Sequence, residues 1–168
     1  MKTLFVLRHA KSSWENPDWS DFERPLNSRG LDAARFIGEL IYERGLQPQI
    51  IVSSPAKRAK QTAVLVKEIA EVSKPVKFDE RIYEASPHAL FNLIREIDEK
   101  WESVLIVGHN PGFENLVRML TGETVSMPTA ALAKINLNLE NWHDLEINLN
   151  ELEFLIRPKE EMKKSVAN

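Results

Sequence analysis

Thr3-Leu4-Phe5-Val6-Leu7 runs straight into Arg8-His9, and the fold is read outward from that junction. An unbroken apolar run lacks the alternation of a strand with one wet face, so it predicts a strand covered on both faces. Two further runs share the design. Ile50-Ile51-Val52 leads into Ser53-Ser54-Pro55, and Val104-Leu105-Ile106-Val107 leads into Gly108-His109-Asn110-Pro111-Gly112. Between the runs, Leu31, Ala34, Ile37 and Ile41 recur at helical spacing, as do Ala56, Ala59, Ala63, Val66 and Ala70, and then Leu90, Leu93, Ile94 and Ile97. Each set lines one face of a helix. Asn27 or Ser28 suits the start of the first helix, Ser54-Pro55 the second, and Asn110-Pro111 a fourth after the third buried run, because Ser and Asn accept orphan amide protons and Pro lacks one.

A short strand is expected at Val76-Lys77-Phe78. Strand and helix in alternation predict an α/β fold, a three-layer α/β/α sandwich around a mostly parallel central sheet. After Gly122 the pattern changes. Residues 131–139 and 145–156 alternate partially, which predicts two terminal strands joined as a hairpin through Glu140-Asn141; the last ten residues read as a frayed helix or tail. One domain over residues 1–168 is expected, with no internal repeat or low-complexity linker.

Composition narrows the function. Lys plus Arg number 22 against 25 Asp plus Glu, a formal charge of −3, with four His and no Cys. The absence of Cys removes disulfides and thiolate metal clusters. The cations are scattered except at Lys57-Arg58-Ala59-Lys60, so no extended basic surface for nucleic acid is expected. No apolar run approaches the roughly 20 residues of a membrane helix, and the run after Lys2 is too short for a secretory signal. The reading is a cytoplasmic monomer, touching neither nucleic acid nor membrane.

In a parallel sheet the carboxyl ends of the strands share one edge, where ligands of open α/β proteins bind. The three buried runs therefore deliver Arg8, His9, Arg58 and His109 to one crevice. Two guanidiniums with imidazoles and helix-start amides form a site for a tetrahedral oxyanion, phosphate above all. Singly each residue has an ordinary explanation: a turn for Arg8-His9, a solvated helix charge for Arg58, a loop residue for His109. Their conjunction at one edge carries the functional reading.

The order Arg8-His9, then Ser53-Ser54-Pro55 with Arg58-Ala59 and Gln61-Thr62, then Gly108-His109, resembles the histidine phosphatase superfamily. Arg8-His9-Ala10-Lys11-Ser12-Ser13-Trp14 and Arg24-Pro25-Leu26-Asn27-Ser28-Arg29-Gly30 resemble its SixA-type phosphohistidine phosphatase branch, over roughly residues 1–135. The resemblance implies a phosphoglycerate mutase-like fold and a phosphatase that needs neither metal nor other cofactor. It implies that His9 is the nucleophile and that Arg8, Arg58 and His109 hold the phosphoryl oxygens. The substrate would be phosphohistidine on a protein domain, or a small phosphomonoester.

The family's usual Gly after the first His is Ala10 here, so that position must take a negative φ. Glu84, in Arg81-Ile82-Tyr83-Glu84-Ala85-Ser86-Pro87, is the candidate acid for the leaving group, against a solvated loop carboxylate; a small-molecule phosphomonoesterase would need it. Lys11 and Ser12 are candidate substrate contacts, and Trp14, Asp18, Trp19 and Asp21 are expected to form a flap over the pocket. His88 and His143 read as surface residues. A phosphate-binding adaptor without turnover is the alternative from another class.

Overall fold

In a computed structural model that describes residues 1–167, with side chains through Lys163, each buried run forms a strand and each apolar stripe a helix. The strands are β1 (Lys2–Arg8), β2 (Ile50–Ser53), β3 (Lys77–Phe78), β4 (Ser103–Gly108), β5 (Leu132–Leu137) and β6 (Glu151–Ile156). The helices are α1 (Ser28–Glu43), α2 (Lys57–Ala70), α3 (Pro87–Arg95), α4 (Gly112–Thr121) and α5 (Pro158–Ala167). One six-stranded sheet has the order β3-β2-β4-β1-β5-β6. Pairing is parallel from β3 to β1, and antiparallel for β1 with β5 and β5 with β6.

Period two divides β1 between two cores. Leu4 and Val6 join Val104, Ile106, Phe113, Leu116 and the buried Trp142 under α3 and α4. Phe5 and Leu7 join Ile51, Leu105, Val107, Ile37 and Val66 under α1 and α2. Each large side chain removed from water in this way contributes about 1.5–3 kcal/mol. The chain leaves β1 toward one face and β4 toward the other, so a crevice opens where these neighbouring strands end. At the opposite end of β1, Lys2 is buried, its Nζ donating to the carbonyls of Glu99 at 2.8 Å and Trp101 at 3.0 Å.

Several local expectations are corrected. Asn27 does cap α1, its side chain accepting from Gly30 N at 2.8 Å. Helix α2 begins at Lys57 with Ala56 at the cap, and Ser54 Oγ accepts from Ala56 N at 3.2 Å within the preceding loop. Pro111 occupies the cap of α4, and Asn110 Oδ1 accepts from Glu114 N at 3.3 Å while its Nδ2 donates to Glu114 Oε1 and to Met127 O, each at 2.8 Å. The terminal strands do pair, but not through a tight turn at Glu140-Asn141: the connection contains a 3₁₀ turn, Trp142–Asp144. The alternation after Leu145 misleads because Ile147 and Leu149 are exposed rather than turned into a core. Of the two expectations for the terminal segment, helix or tail, the helix holds, and α5 lies beside α1.

Candidate active site

The crevice is assembled by backbone bonds between the loops that leave the strands. His9 N donates to Gly108 O at 2.9 Å, and Ser54 N donates to Val107 O at 2.9 Å. These bonds tie the ends of β1 and β2 to β4. Gly108 must be small: a Cβ there would lie 2.6 Å from the Phe113 ring. Gly30 is equally constrained, since a Cβ would meet Lys11 O at 2.0 Å, in the loop that follows His9.

Arg8, His9, Arg58 and His109 line one cavity of about 350 Å³, together with Lys11, Ser12 and Trp14. The two imidazole centroids are 5.2 Å apart. His9 Nδ1 lies 2.7 Å from Ala10 O, a geometry that requires a proton on Nδ1 and leaves the lone pair on Nε2. Arg58 Nε donates to that Nε2 at 3.4 Å, and Arg58 Nη2 lies 3.4 Å from His109 Nδ1. Helix α2 thus sets a guanidinium between the two rings. Ala10 lies outside the left-handed region and is fully buried against the core, so its side chain is accommodated. Its amide donates to Thr62 Oγ1 at 3.0 Å, and that hydroxyl donates to Arg58 O at 2.8 Å. Thr62 therefore fixes the His9 loop to the turn of helix that carries Arg58.

On the far side of His109, Nε2 lies 2.8 Å from Ser54 Oγ. A hydroxyl can accept from Nε2–H or donate to bare Nε2, so Ser54 supports either tautomer. Arg8 Nη1 donates to Met127 O at 3.1 Å, while among the described residues its buried Nε has no partner.

Both imidazoles are neutral near pH 7. Burial lowers His9 to about 3, helped by His109, Arg58 and Arg8 and only partly offset by the bond to Ala10 O. Burial also lowers His109 to about 4, with Arg58 and Arg8 acting in the same direction against Asp21.

Sequence reasoning places Asp21 in a flap and gives Tyr83 no role. Asp21 opens a 3₁₀ turn, Asp21–Glu23, that reaches the rim of the site. Arg58 Nη1 donates to its carbonyl at 2.6 Å and Nη2 to Oδ2 at 3.0 Å; Arg24 donates to Oδ1 at 3.1 Å and the Tyr83 hydroxyl to Oδ2 at 2.6 Å. Partial burial alone would raise the Asp21 carboxyl, but the bonds from Tyr83, Arg58 and Arg24 outweigh it and hold it at about 2. Tyr83 stands edge-on to His109 with centroids 5.5 Å apart, and Phe22 edge-on to Tyr83 at 5.2 Å. The three-residue spacing of Asp21 and Arg24 is the available signal for their ion pair; nothing in the local pattern around Tyr83 announces its reach across to Asp21.

The remaining candidates differ in placement. Ser12 Oγ accepts from Arg24 Nη2, so this hydroxyl is engaged within the protein. Lys11 is exposed at the cavity's edge. Trp14 is 77% exposed and stacks on Arg24, whereas Trp19 lines a different cavity, so the expected flap is divided. Glu84 is exposed on the loop before α3 at φ 55° and does not line the catalytic cavity. His88 and His143 are exposed, as read. Among the described residues no group of three or more His, Asp or Glu could hold a metal ion, and no helix is long and apolar enough to cross a membrane.

Residues 4–102 match the family model of the histidine phosphatase superfamily, branch 1. The chain belongs to that superfamily. It is 27% identical over 158 residues to the phosphohistidine phosphatase SixA of Escherichia coli K12, covering 87% of this chain and 95% of that protein. A crystal structure provisionally named phosphohistidine phosphatase SixA, from Agrobacterium tumefaciens, superposes with a TM-score of 0.81 at 28% identity, over 94% of this chain and 98% of its own. A SixA protein histidine phosphatase solved with tungstate shares the fold at TM-score 0.82 and 22% identity, over 95% and 99% of the two chains. The phosphoglycerate mutase-like α/β architecture expected from the sequence is thereby established, and membership of this superfamily supports phosphatase activity.

Proposed function

We propose that this superfamily member hydrolyses phosphohistidine on a protein, through a covalent phosphoryl intermediate on His9. The observation that carries the reading is the neutral His9 ring, fixed by Ala10 O with its Nε2 lone pair on the cavity side, beside the Arg58 guanidinium and the unpaired Nε of Arg8.

In the first step His9 Nε2 forms a bond to phosphorus as the P–N bond of the substrate breaks. The departing imidazole takes the electron pair; carrying a proton on its other nitrogen, it leaves as a neutral ring. Arg58 must shift its weak 3.4 Å bond from Nε2 to a phosphoryl oxygen, freeing the lone pair. Arg8 and Arg58 balance charge on the equatorial oxygens of a loose transition state. Once Arg58 Nη2 turns from His109 Nδ1 to a phosphoryl oxygen, Ser54 can donate to His109 Nε2, and His109 then presents Nδ1–H as a third donor. Water then attacks the phosphohistidine, releasing phosphate and restoring His9. Asp21 is a positioning residue in this scheme, holding the outer edge of Arg58 so that Nε faces His9.

No metal enters these steps. The lining also suits a side chain entering from outside: the cavity is small, and Lys11 and Trp14 at its edge are exposed.

A phosphomonoester leaves as an alkoxide and requires a proton, and Glu84, expected as its donor, lies outside the cavity lining; a phosphohistidine protonated on its far nitrogen requires none. Glu84→Gln is therefore expected to change kcat/KM on a phosphohistidine peptide by less than about twofold, and single-turnover assays on both substrates measure this. A loss of roughly 10²-fold or more on the peptide would contradict the leaving-group argument, whereas the same loss confined to an alkyl phosphate would identify Glu84 as the acid of a secondary activity.

The pH dependence has a definite sign. His9 and His109 are deprotonated in the folded state well below the ordinary pKa of about 6.5, so kcat/KM corrected for substrate ionisation should show no acid limb near pH 6.5. The limb should fall near pH 4 or below. Stability follows the same linkage: the unfolded state gains protons that the folded state refuses, so the contribution is full above about pH 6.5 and is lost as pH falls toward 4. Thermal melts across this window should show Tm falling, with a shallower slope in His109→Gln. An acid limb in kcat/KM at the pKa of ordinary histidine would show that burial does not control the nucleophile.

A further inference from the structure

Behind Lys11 and Thr129, which also line the catalytic cavity, a second cavity of about 880 Å³ opens between the start of α1, the loop before β5 and helix α5. Its floor is apolar, built in part from Ala33, Pro128 and Met162. Four cations edge it: Lys11, Arg29, Lys159 and Lys163. Among the described residues none of these four side chains makes an ion pair or hydrogen bond. The single carboxylate in the lining, Asp32, pairs with Arg35 at 3.5 Å. A chain of net charge −3 has thus gathered four cations, unpaired among the described residues, around one concave surface that is continuous with the phosphoryl site.

We propose that this cavity receives an acidic, partly apolar segment of the phosphoprotein next to its phosphorylated side chain. The inference rests on the phosphoprotein reading above and adds a determinant of which protein is recognised. Unpaired cations at a rim steer an acidic partner and favour it over neutral ones, while the apolar floor accepts the aliphatic side chains between its carboxylates. The two cavities share Lys11 and Thr129, so one short segment can occupy both.

The test reverses charge at exposed positions away from the proposed chemistry, in Arg29→Glu/Lys159→Glu/Lys163→Glu. Three substrates are compared: free phosphohistidine, a phosphohistidine peptide flanked by glutamates, and its glutamine-flanked counterpart. The expected result is a tenfold or larger loss of kcat/KM on the acidic peptide, through KM, with the other two substrates within twofold of wild type. Equal effects on the acidic and glutamine peptides would overturn the proposal, as would no effect on either. In parallel, fluorescence anisotropy follows binding of the unphosphorylated acidic peptide. Binding by wild type that is lost in the variant, without hydrolysis of any phosphohistidine substrate, would uphold the cavity and sink the activity proposed above. Tighter binding of inorganic pyrophosphate than of the peptide, sensitive to the same charge reversal, would replace the protein segment with a small polyanion and overturn the proposal.

Discussion

Replacing His9 with alanine is expected to lower kcat/KM on a phosphohistidine peptide by roughly 10⁴-fold or more while leaving oxyanion binding largely intact. The ring supplies the lone pair that displaces the leaving group, and the other imidazole of the site cannot substitute for it. His109 is held by Ser54 and lies 5.2 Å away, centroid to centroid. Arg8 and Arg58 stay charged in the variant, so tungstate should bind within about tenfold of wild type by calorimetry, a difference of about 1.4 kcal/mol. The folded state should also lose stability, since Ala10 O forfeits its partner; a buried acceptor left unpaired costs about 1–3 kcal/mol. Retained turnover would remove His9 from the chemistry. Loss of turnover together with a collapse of tungstate binding would instead assign the ring to ligand binding.

Arg58→Ala carries the second largest expected effect, a loss of roughly 10²–10⁴-fold in kcat/KM, bounded by what a single transition-state donor and a full arginine contribution supply. This side chain touches His9, His109 and Asp21 at once. Arg58→Lys should recover little, because an ammonium on a flexible stem cannot reproduce a planar fork directed at several acceptors. Asp21→Asn separates positioning from charge. It leaves the guanidinium in place but weakens its outer bonds, so the expected loss is about tenfold, mostly in kcat, on the scale of a charge-assisted hydrogen bond of about 1.5–3 kcal/mol weakened rather than removed. A larger loss in Asp21→Asn than in Arg58→Ala would mean that Asp21 contacts the reacting groups itself.

The elements under the strongest physical constraint are the ones legible in the sequence. Three continuous apolar runs have to be strands covered on both faces, and their shared polar endings are enough to bring Arg8, His9, Arg58 and His109 to one edge. Ala10 is legible as a departure, and its negative φ is the necessary consequence. Contacts made by residues whose own neighbourhood is unremarkable are not legible. Tyr83 reaches Asp21 across 62 positions, and Thr62 joins the His9 loop to the first turn of α2 by a hydroxyl that could as well have faced solvent. The terminal hairpin escapes pattern reading because alternating apolar residues at Ile147 and Leu149 look like a strand and are exposed instead. Ser54 resembles a helix cap because its hydroxyl and the following Pro fit that role; the fold gives the same oxygen to His109 and to Ala56 N. Hydroxyl groups are poorly specified by local pattern because they bond whatever the tertiary fold brings within reach.

Rapid-quench labelling tests the central claim most directly. Wild-type enzyme is mixed with a ³²P-phosphohistidine peptide, stopped in alkali within the first turnover, and the protein's own label mapped by proteolysis. Label should form and decay at rates competent for turnover, be stable to alkali and labile to acid, and reside on the peptide that contains His9. Steady hydrolysis with no transient label on the enzyme, or label mapping to His109, would contradict the account.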